Sequence, residues 1–306
     1  MHNTTFDNSL WLQKFKAASA QKAGFKELRL GVFMQTVEIV NSGGYVLGGK
    51  EIAVDKSGVA DNTEFFDVRF SLGKSEHLHD TRFSVIEADC LEVAALLLKA
   101  GFNPCVLNMA SGQNPGGGVL KGSGAQEENL FRRSNLFASL YQFAGYAAQY
   151  GVAKSEKQYP LDENFGGIYS GDVTVFRSSE SSGYTLLDAP FQTSVVSVAA
   201  IRNPELTKID GKMRIARHLT EQTKEKIRTI LRIAGKYNHN ALVLSAFGCG
   251  AYCNPPEHIA LLFRSVFAEA EFHNRFALVV FAIINDNNSN SPHNPNGNFE
   301  PFRKIF

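Results

Sequence analysis

The chain has 306 residues, of which 44% are hydrophobic, so it is long enough for one large domain or two small ones with a substantial core. Charged residues make up 20% and nearly cancel to a net charge of +1, which argues against binding nucleic-acid duplexes through a broad basic surface. Met1–Phe15 contains no apolar signal-peptide core, and the longest apolar run, Ala277–Ile284, is too short to span a membrane. We therefore expect a cytoplasmic protein with no membrane partner.

Residues 1–80 are predicted to form an accessory layer of helices and short strands packed on the core. Apolar residues recur at helical spacing from about Asn8 to Asn41, and Gly24 separates two predicted helices. The Gly43-Gly44 pair ends the second helix. Two short strands follow, Tyr45–Leu47 and Glu51–Val54. Asp61–Asp80 is predicted to be strand and loop.

The core, residues 81–306, begins with a predicted strand–helix–strand unit. Phe83–Ile86 is a strand, Leu91–Ala100 is a helix closed by Gly101, and Cys105–Leu107 is the next strand. Such a unit predicts parallel pairing, with helices on the faces of the sheet. The glycine-rich stretch that follows lies just past the carboxyl end of a strand, where ligands bind in open α/β sheets.

The rest of the core alternates strands and helices, which predicts an α/β fold with a mixed, largely parallel central sheet. The predicted elements are a helix from Gln126 to about Tyr150, short strands near Gly167–Tyr169 and Val173–Phe176, a polar loop at Ser178–Gly183, a buried strand at Ser194–Val198, a helix over Met213–Tyr237, a central strand at Ala241–Leu244, a helix from Pro255-Pro256 to about Phe272, and a last strand at Ala277–Ala282. The tail, Asn285–Asn298, is rich in Asn, Ser and Pro and is predicted to be a loop or partly disordered.

Two short motifs lie around the start of the predicted helix at Gln126. Asn114-Pro115-Gly116-Gly117-Gly118 places three glycines in one turn, so backbone N–H groups can approach a ligand without a side-chain barrier. Glycine-rich turns and helix starts suit phosphate. Glu127 and Glu128 add two carboxyl groups, and glycosidic bonds break with the help of carboxyl groups. The combination predicts a ligand that carries both phosphate and ribose.

The two glutamates are predicted to have different tasks. Neighbouring residues on a helix point about 100° apart, because the helix has 3.6 residues per turn. Two adjacent side chains therefore cannot approach one atom from the same direction. One can donate a proton to a leaving oxygen while the other binds hydroxyl groups.

Each of these features also has a purely structural interpretation. An isolated Glu-Glu pair more often complements the helix dipole, and a glycine run is more often only a sharp turn. Asp89 is as typical of a helix N-cap as of a ligand contact, and Tyr252 and Phe247 could be packing residues. A function is favoured because two glycine loops, Gly116–Gly118 and Gly248–Ala251, coincide with the carboxylate pair, each after a predicted strand and before a predicted helix.

The cysteines and three of the histidines do not predict a metal site or a disulfide. The cysteines are scattered, and we interpret them as reduced thiols, with packing or loop roles for the last two. The cysteines are Cys90, Cys105, Cys249 and Cys253, and the histidines without ligand spacing are His77, His79 and His293.

An ordered set of motifs carries a family resemblance. Val106–Ser111 runs into the triple glycine, and Gln126-Glu127-Glu128 follows after a short gap. The remaining matches are Asp89–Glu92, Ile168–Ser170 through Val175–Arg177, and the Gly248–Tyr252 loop. From about Arg82 to Phe306 the chain resembles the microbial branch of the poly(ADP-ribose) glycohydrolases (PARGs), a macrodomain family. The resemblance implies a macrodomain-like three-layer α/β/α fold, and the leading helices resemble the N-terminal extension of that branch.

The resemblance implies roles for the matching residues. Glu128 would be the catalytic acid, and Glu127 would hold hydroxyl groups of the neighbouring ribose. The glycines at Gly116, Gly117 and Gly118 would wrap the terminal ribose and diphosphate, and Gly248, Gly250 and Ala251 would form a second diphosphate loop. Asp89 would lie near the adenine amino group, and Tyr252 would pack on the terminal ribose. Four further residues of these motifs are predicted to line the substrate site: Asn108, Asn114, Gln126 and Cys249.

Four residues depart from the family pattern, and the three departures in the gap bear on substrate preference more than on the chemistry. The four residues are Lys121, Ser123 and Gly124 in the gap, and Phe131, where a Cys is common in the family.

Three functions follow from the resemblance. The first is an exo-acting hydrolase that releases ADP-ribose from poly(ADP-ribose) through proton donation by Glu128, an oxocarbenium-like state, and attack by water assisted by the same residue. The second is a hydrolase that removes single ADP-ribose groups from ADP-ribosylated proteins. The third is a non-catalytic ADP-ribose reader, which the presence of both glutamates disfavours. No metal or other cofactor is expected.

Overall fold

The computed structural model describes residues 5–20, 24–76, 78–285 and 291–306. His77 and residues 286–290 of the predicted tail therefore lie outside the described residues. The α-helices are α1 Asn8–Ala20, α2 Phe25–Ser42, α3 Ser57–Asp61, α4 Cys90–Lys99, α5 Gln126–Arg133, α6 Leu136–Leu140, α7 Arg217–Lys236, α8 Pro256–Phe267 and α9 Phe299–Arg303. The strands are β1 Thr5–Phe6, β2 Gly44–Leu47, β3 Lys50–Ala53, β4 Thr63–Phe66, β5 Arg82–Ile86, β6 Pro104–Met109, β7 Gly167–Arg177, β8 Leu186–Val198, β9 Leu206–Ile209, β10 Lys212–Ile215, β11 Ala241–Leu244 and β12 Leu278–Ala282.

Among the described residues, seven strands form the main sheet, in the order β4-β7-β8-β6-β11-β12-β5. Strands β6, β11, β12 and β5 are parallel neighbours, and Ala241 lies opposite both Pro104 and Leu278. All four residues of β11 are buried, as expected for a parallel strand covered on both faces. The sheet confirms the predicted fold class, a macrodomain-like α/β protein with a mixed, largely parallel sheet.

Strands β5 and β6 are not neighbours, although the sequence places them in one strand–helix–strand unit. Within the part of the chain that the structure describes, strand β5 lies at the edge of the sheet and pairs only with β12. The chain returns later through α7 and α8, and it inserts β11 and β12 between the two earlier strands. Parallel strands joined by a helix share a direction but need not be adjacent, so spacing along the chain does not determine the order.

The chain forms two compact units. The first contains residues up to Glu64 with Gln113–Pro160 and Ser170–Ser194, and the second contains Phe65–Gly112, Leu161–Tyr169 and Val195–Phe306. The N-terminal helices thus share a unit with the glycine turn and the glutamate pair. A domain boundary near residue 80 stays a prediction.

The predicted single helix from Gln126 to Tyr150 is wrong. Helix α5 ends at Arg133, and Ser134 takes an extended conformation and forms an antiparallel bridge with Val175. The Asn135 side chain accepts a hydrogen bond from Thr174 N at 2.8 Å. Pairing with β7 therefore replaces helical hydrogen bonds here. The apolar spacing continues across the break because the segments on both sides are buried, so periodicity alone did not reveal it.

The predicted helix Met213–Tyr237 begins later, at Arg217, because its first residues form a hairpin. Strands β9 and β10 pair antiparallel around Asp210 and Gly211, which both have positive φ, 49° and 77°. Asp-Gly between two short strands is a strong hairpin signal. The sequence thus contains a hairpin signal directly before Met213, where the helical spacing of the apolar residues also begins.

Three further boundaries differ from the predictions. The strand predicted at Ser194–Val198 begins earlier, at Leu186. The two short strands near Gly167 and Val173 form one continuous strand, β7, in which Asp172 has a φ of 54°. Helix α8 ends at Phe267 instead of Phe272. Beyond it, two carboxylates turn towards α7: Glu269 Oε2 lies 2.8 Å from Arg228 Nε, and Glu271 Oε1 lies 2.8 Å from Arg232 Nε.

His258 should make the stability of the fold depend on pH. Its Nδ1 accepts a hydrogen bond from Ile215 N at 2.9 Å, so this nitrogen carries no proton. Burial, reinforced by the charge of Arg214, lowers the pKa of His258 from 6.5 to about 4. Between these two values the unfolded chain binds a proton that the folded chain does not. The free energy of unfolding should therefore fall as the pH falls through this window.

We expect His258 to contribute a loss of about 1–2 kcal/mol between pH 7 and pH 4.5, allowing for solvent around this half-buried ring. Urea unfolding at both pH values measures it, and His258→Gln should show a smaller pH dependence than the wild type. An equal pH dependence in the two proteins would contradict the assignment.

Candidate active site

The glycine turn closes directly over the carboxyl groups at the start of α5. Gly116 N donates to Glu127 Oε1 at 3.0 Å, and Gly118 N donates to Glu128 Oε1 at 2.7 Å. Gly117 N donates to Asn114 O at 3.2 Å. The amides that we expected to face a ligand thus make hydrogen bonds within the turn and to the glutamates. In this structure they orient the carboxyl groups, and a diphosphate contact to Gly116–Gly118 stays a prediction.

Glu128 is held by one carboxyl oxygen only. The residue is 6% exposed, and Glu127 is 4% exposed. Glu128 Oε2 is buried and has no hydrogen-bond partner among the residues that the structure describes. Leaving a buried polar atom unpaired costs about 1–3 kcal/mol. A carboxyl group anchored by one oxygen, with the other unpaired, is suited to exchange a proton with a bound molecule.

Only glycine fits at the centre of this turn. Gly117 has a φ of 53°, and a Cβ there would lie 2.8 Å from Glu128 Oε1 and 2.9 Å from Glu127 Oε2. A Cβ on Gly116, with a φ of 77°, would lie 2.6 Å from the ring of Phe131. The glycines are therefore needed for a left-handed backbone and for close approach to the carboxyl groups.

Phe131, one of the departures from the family pattern, forms part of the support for this turn. Its ring is buried, and its centroid lies 6.2 Å from that of Phe33 on α2 and 5.5 Å from that of Tyr141. The ring thus fills the space beneath Gly116 and packs α5 against the N-terminal helix α2.

Arg132 holds the far end of the same turn. It is fully buried, and its Nη1 donates to Ser123 O at 2.8 Å. Its Nε donates to Tyr184 Oη at 2.9 Å, and its own carbonyl oxygen accepts from Thr36 Oγ1 at 2.6 Å. Sequence reasoning missed Arg132 because two of its three partners, Thr36 and Tyr184, are distant in the chain.

The second glycine loop follows β11 in the second unit. Gly248 has a φ of 72°, and its carbonyl oxygen accepts from Asn254 Nδ2 at 3.1 Å. Cys249 O accepts from His293 Nε2 at 2.8 Å. Because a trans peptide points C=O and N–H in opposite directions, this bond orients the N–H of Gly250 away from His293. His293 and Asn254 therefore order the loop, and no local sequence signal identified either of them.

The other candidate residues have mixed outcomes. Asp89 Oδ1 accepts from Leu91 N at 3.0 Å and from Glu92 N at 3.1 Å, so the N-cap interpretation is confirmed. Asn108 is fully buried and donates to Ser197 Oγ at 3.0 Å. Tyr252 packs against the hydrophobic core of the second unit, with Arg202 Cζ 5.9 Å from the ring centroid.

The ligand-binding roles of these residues stay predictions. Asn114 and Ala251 are exposed, Gln126 is half-buried, and burial raises the pKa of the Cys249 thiol. The first unit brings the three glycines of the turn together with Glu127 and Glu128. The second unit holds Asp89, Asn108 and the Gly248–Tyr252 loop.

The described ranges contain no group of three or more His, Cys, Asp or Glu residues that could hold a metal ion. The four cysteines are thiols. Within the same ranges, every helix is too short or too polar to cross a membrane.

Comparisons with known proteins agree with this geometry. Residues 34–178 match the family model for the microbial-type PARG catalytic domain. The solved poly(ADP-ribose) glycohydrolase from Thermomonospora curvata, bound to the inhibitor ADP-HPD, is 28% identical with a TM-score of 0.69, and the match covers 92% of this chain and 100% of that one. The glycohydrolase from Deinococcus radiodurans in complex with ADP-ribose shares the fold at 24% identity and a TM-score of 0.59, over 82% of this chain and 96% of that one. No curated protein matches the sequence.

The sheet order and the glycine turn over two buried carboxyl groups define a macrodomain-like α/β protein. Within that class, this chain is similar to the microbial-type poly(ADP-ribose) glycohydrolases, so the resemblance drawn from the sequence motifs is confirmed.

Proposed function

We propose that this protein hydrolyses the ribose–ribose O-glycosidic bonds of poly(ADP-ribose) and releases ADP-ribose. The observation that carries the proposal is the state of Glu128, which is anchored through Oε1 to Gly118 N and has a buried, unpaired Oε2. The match to the microbial-type catalytic domain and to the Thermomonospora curvata glycohydrolase supports this reaction class.

In the proposed mechanism Glu128 acts first as an acid and then as a base. Its carboxyl proton passes to the glycosidic oxygen of the leaving ribose as the bond from that oxygen to the anomeric carbon breaks. The oxocarbenium-like cation that remains is attacked by water, and the Glu128 carboxylate takes the proton of that water. The cycle ends with a hydroxyl group on each product and a protonated Glu128, so no other reactant is needed.

The hydrogen bonds of the glycine turn supply orientation for these steps. Gly118 N keeps the Glu128 carboxyl group in one rotamer, and Gly116 N does the same for Glu127. We assign Glu127 to hydroxyl groups of the neighbouring ribose, because its Oε1 is held by Gly116 N whereas Glu128 Oε1 is held by Gly118 N, so the two carboxyl groups are fixed at different points of the turn. Fixing both groups in advance removes the need to order them when the substrate arrives.

The substrate is expected to be the polymer terminus, with ADP-ribosylated proteins as the alternative. We expect the wild-type protein to release ADP-ribose from labelled poly(ADP-ribose) at least about tenfold faster, in kcat/KM, than it removes single ADP-ribose groups from a modified protein. Release is measured by chromatography of the labelled product from both substrates.

Each outcome of this comparison selects one function. Faster removal of single groups would establish the mono-ADP-ribosyl hydrolase and overturn the proposal. Binding of ADP-ribose in calorimetry, with no release from either substrate, would establish a reader.

A further inference from the structure

Arg29 connects the N-terminal helix α2 to the turn that precedes the catalytic helix. Its guanidinium forms a two-pronged ion pair with Glu180, with Nε 2.8 Å from Oε2 and Nη2 2.6 Å from Oε1. Both side chains are partly buried, at 19% and 27% exposure. The planar fork of arginine fixes the orientation of the guanidinium in such a pair, which an ammonium group could not do.

The oriented guanidinium lies directly against Gly124. A Cβ at Gly124 would lie 2.4 Å from both Cζ and Nη2 of Arg29, and 2.5 Å from Nη1. Nearly equal distances to three atoms of the plane place the guanidinium face towards the glycine. Gly122 is equally close to α2, since a Cβ there would lie 2.1 Å from Lys26 O. Helix α2 therefore supports the turn at both of these glycines.

A second arginine links the same turn to the same carboxylate. Tyr184 Oη donates to Glu180 Oε2 at 2.6 Å and accepts from Arg132 Nε at 2.9 Å, while Arg132 Nη1 binds Ser123 O. Glu180 therefore pairs directly with Arg29, which packs on Gly124. Through Tyr184 it is also connected to Arg132, which binds Ser123 O. The pKa of Arg29 is raised chiefly by its hydrogen bonds to Glu180, and the charge of Glu128 adds to this effect.

The turn transmits this support to the catalytic residue. Ser123 N donates to Gly118 O at 3.2 Å, and Gly118 N in turn binds Glu128 Oε1. We propose that Arg29 is a positioning residue for glycosidic cleavage: by packing on Gly124 while paired with Glu180, it holds the Gly118–Gly124 turn and so the orientation of Glu128. Arg29 makes no contact with substrate in this assignment, which rests on the proposed function. The assignment also gives residues of the N-terminal segment a part in catalysis.

Steady-state kinetics on poly(ADP-ribose) with three variants tests the assignment. Arg29→Gln should lower kcat about tenfold and change KM less than about twofold, because a slightly misplaced acid affects the transition state more than binding. Arg29→Lys keeps the charge but loses the planar, forked guanidinium. Its kcat should lie between those of Arg29→Gln and the wild type. Lys26→Gln removes an exposed cation from the same helix but keeps the backbone carbonyl that lies against Gly122, so its kcat should match that of the wild type. A wild-type kcat in Arg29→Gln, or an equal loss in Lys26→Gln, would overturn the assignment.

A measurement without turnover separates this idea from the proposed activity. Amide hydrogen exchange of the peptide covering residues 118–124 should be about tenfold faster in Arg29→Gln than in the wild type or Lys26→Gln. Exchange of the peptide covering residues 241–244 should be the same in all three proteins, which excludes general unfolding. Unchanged exchange at 118–124 would refute the positioning role even in an active enzyme. Faster exchange there in a protein that releases no ADP-ribose would refute only the proposed function.

Discussion

Glu128→Gln should slow ADP-ribose release by about 10²–10⁴-fold, the usual contribution of a general acid–base group. The substitution keeps the shape of the side chain, and the amide oxygen can still accept the hydrogen bond from Gly118 N that Glu128 Oε1 accepts at 2.7 Å. The amide nitrogen would occupy the place of Oε2, where it cannot act as an acid or take a proton from water. The variant should therefore lose proton transfer while it keeps the hydrogen bond between Gly118 N and residue 128.

Two measurements establish that this loss is chemical. ADP-ribose affinity by calorimetry should stay within about threefold of the wild type, because no binding contact is removed. Glu127→Gln should instead lower kcat/KM by about tenfold, mostly through KM, since its proposed task is to hold hydroxyl groups. Equal rates in the wild type and Glu128→Gln would remove Glu128 from the mechanism.

Gly117→Ala should abolish most activity and also destabilise the fold. Its methyl group would lie 2.8 Å from Glu128 Oε1 and 2.9 Å from Glu127 Oε2, so both carboxyl groups would have to move. The left-handed backbone adds about 1–2 kcal/mol of strain for a residue with a Cβ. We expect kcat/KM to fall by about a hundredfold or more, because both carboxyl groups lose their orientation at once.

A second glycine provides a matched control for the backbone strain. Gly48 has a similar φ of 58°, and a Cβ there would have no atom within 4 Å. Gly48→Ala should therefore show the cost of the left-handed backbone in urea unfolding without a loss of turnover. If Gly117→Ala kept full activity, or if Gly48→Ala lost as much activity as Gly117→Ala, steric contact with the glutamates would not explain why residue 117 is a glycine.

Local sequence was enough for the features that depend on neighbouring residues. Gly43 ends α2 in a left-handed conformation, and Asp89 caps α4 through two backbone N–H groups, both as the residue types indicated. The glycine turn and the glutamate pair could be found because they lie within 15 residues of each other, from Asn114 to Glu128. Together with the other motifs of the ordered set, they carried the resemblance to the microbial-type PARGs.

Tertiary contacts decided what these motifs do. The helix break at Ser134 and the insertion of β11 and β12 beside β6 come from pairing between distant strands. The turn amides donate hydrogen bonds to the glutamates, and Arg29 packs on the turn. No helical or strand periodicity in the sequence predicts either contact. Propensity and spacing act over a few residues, whereas the orientation of a catalytic carboxyl group depends on every segment packed around it. The sequence alone therefore determined the fold class and predicted site residues, and only the tertiary structure showed that, within the described residues, Glu128 Oε1 is held and Oε2 is unpaired.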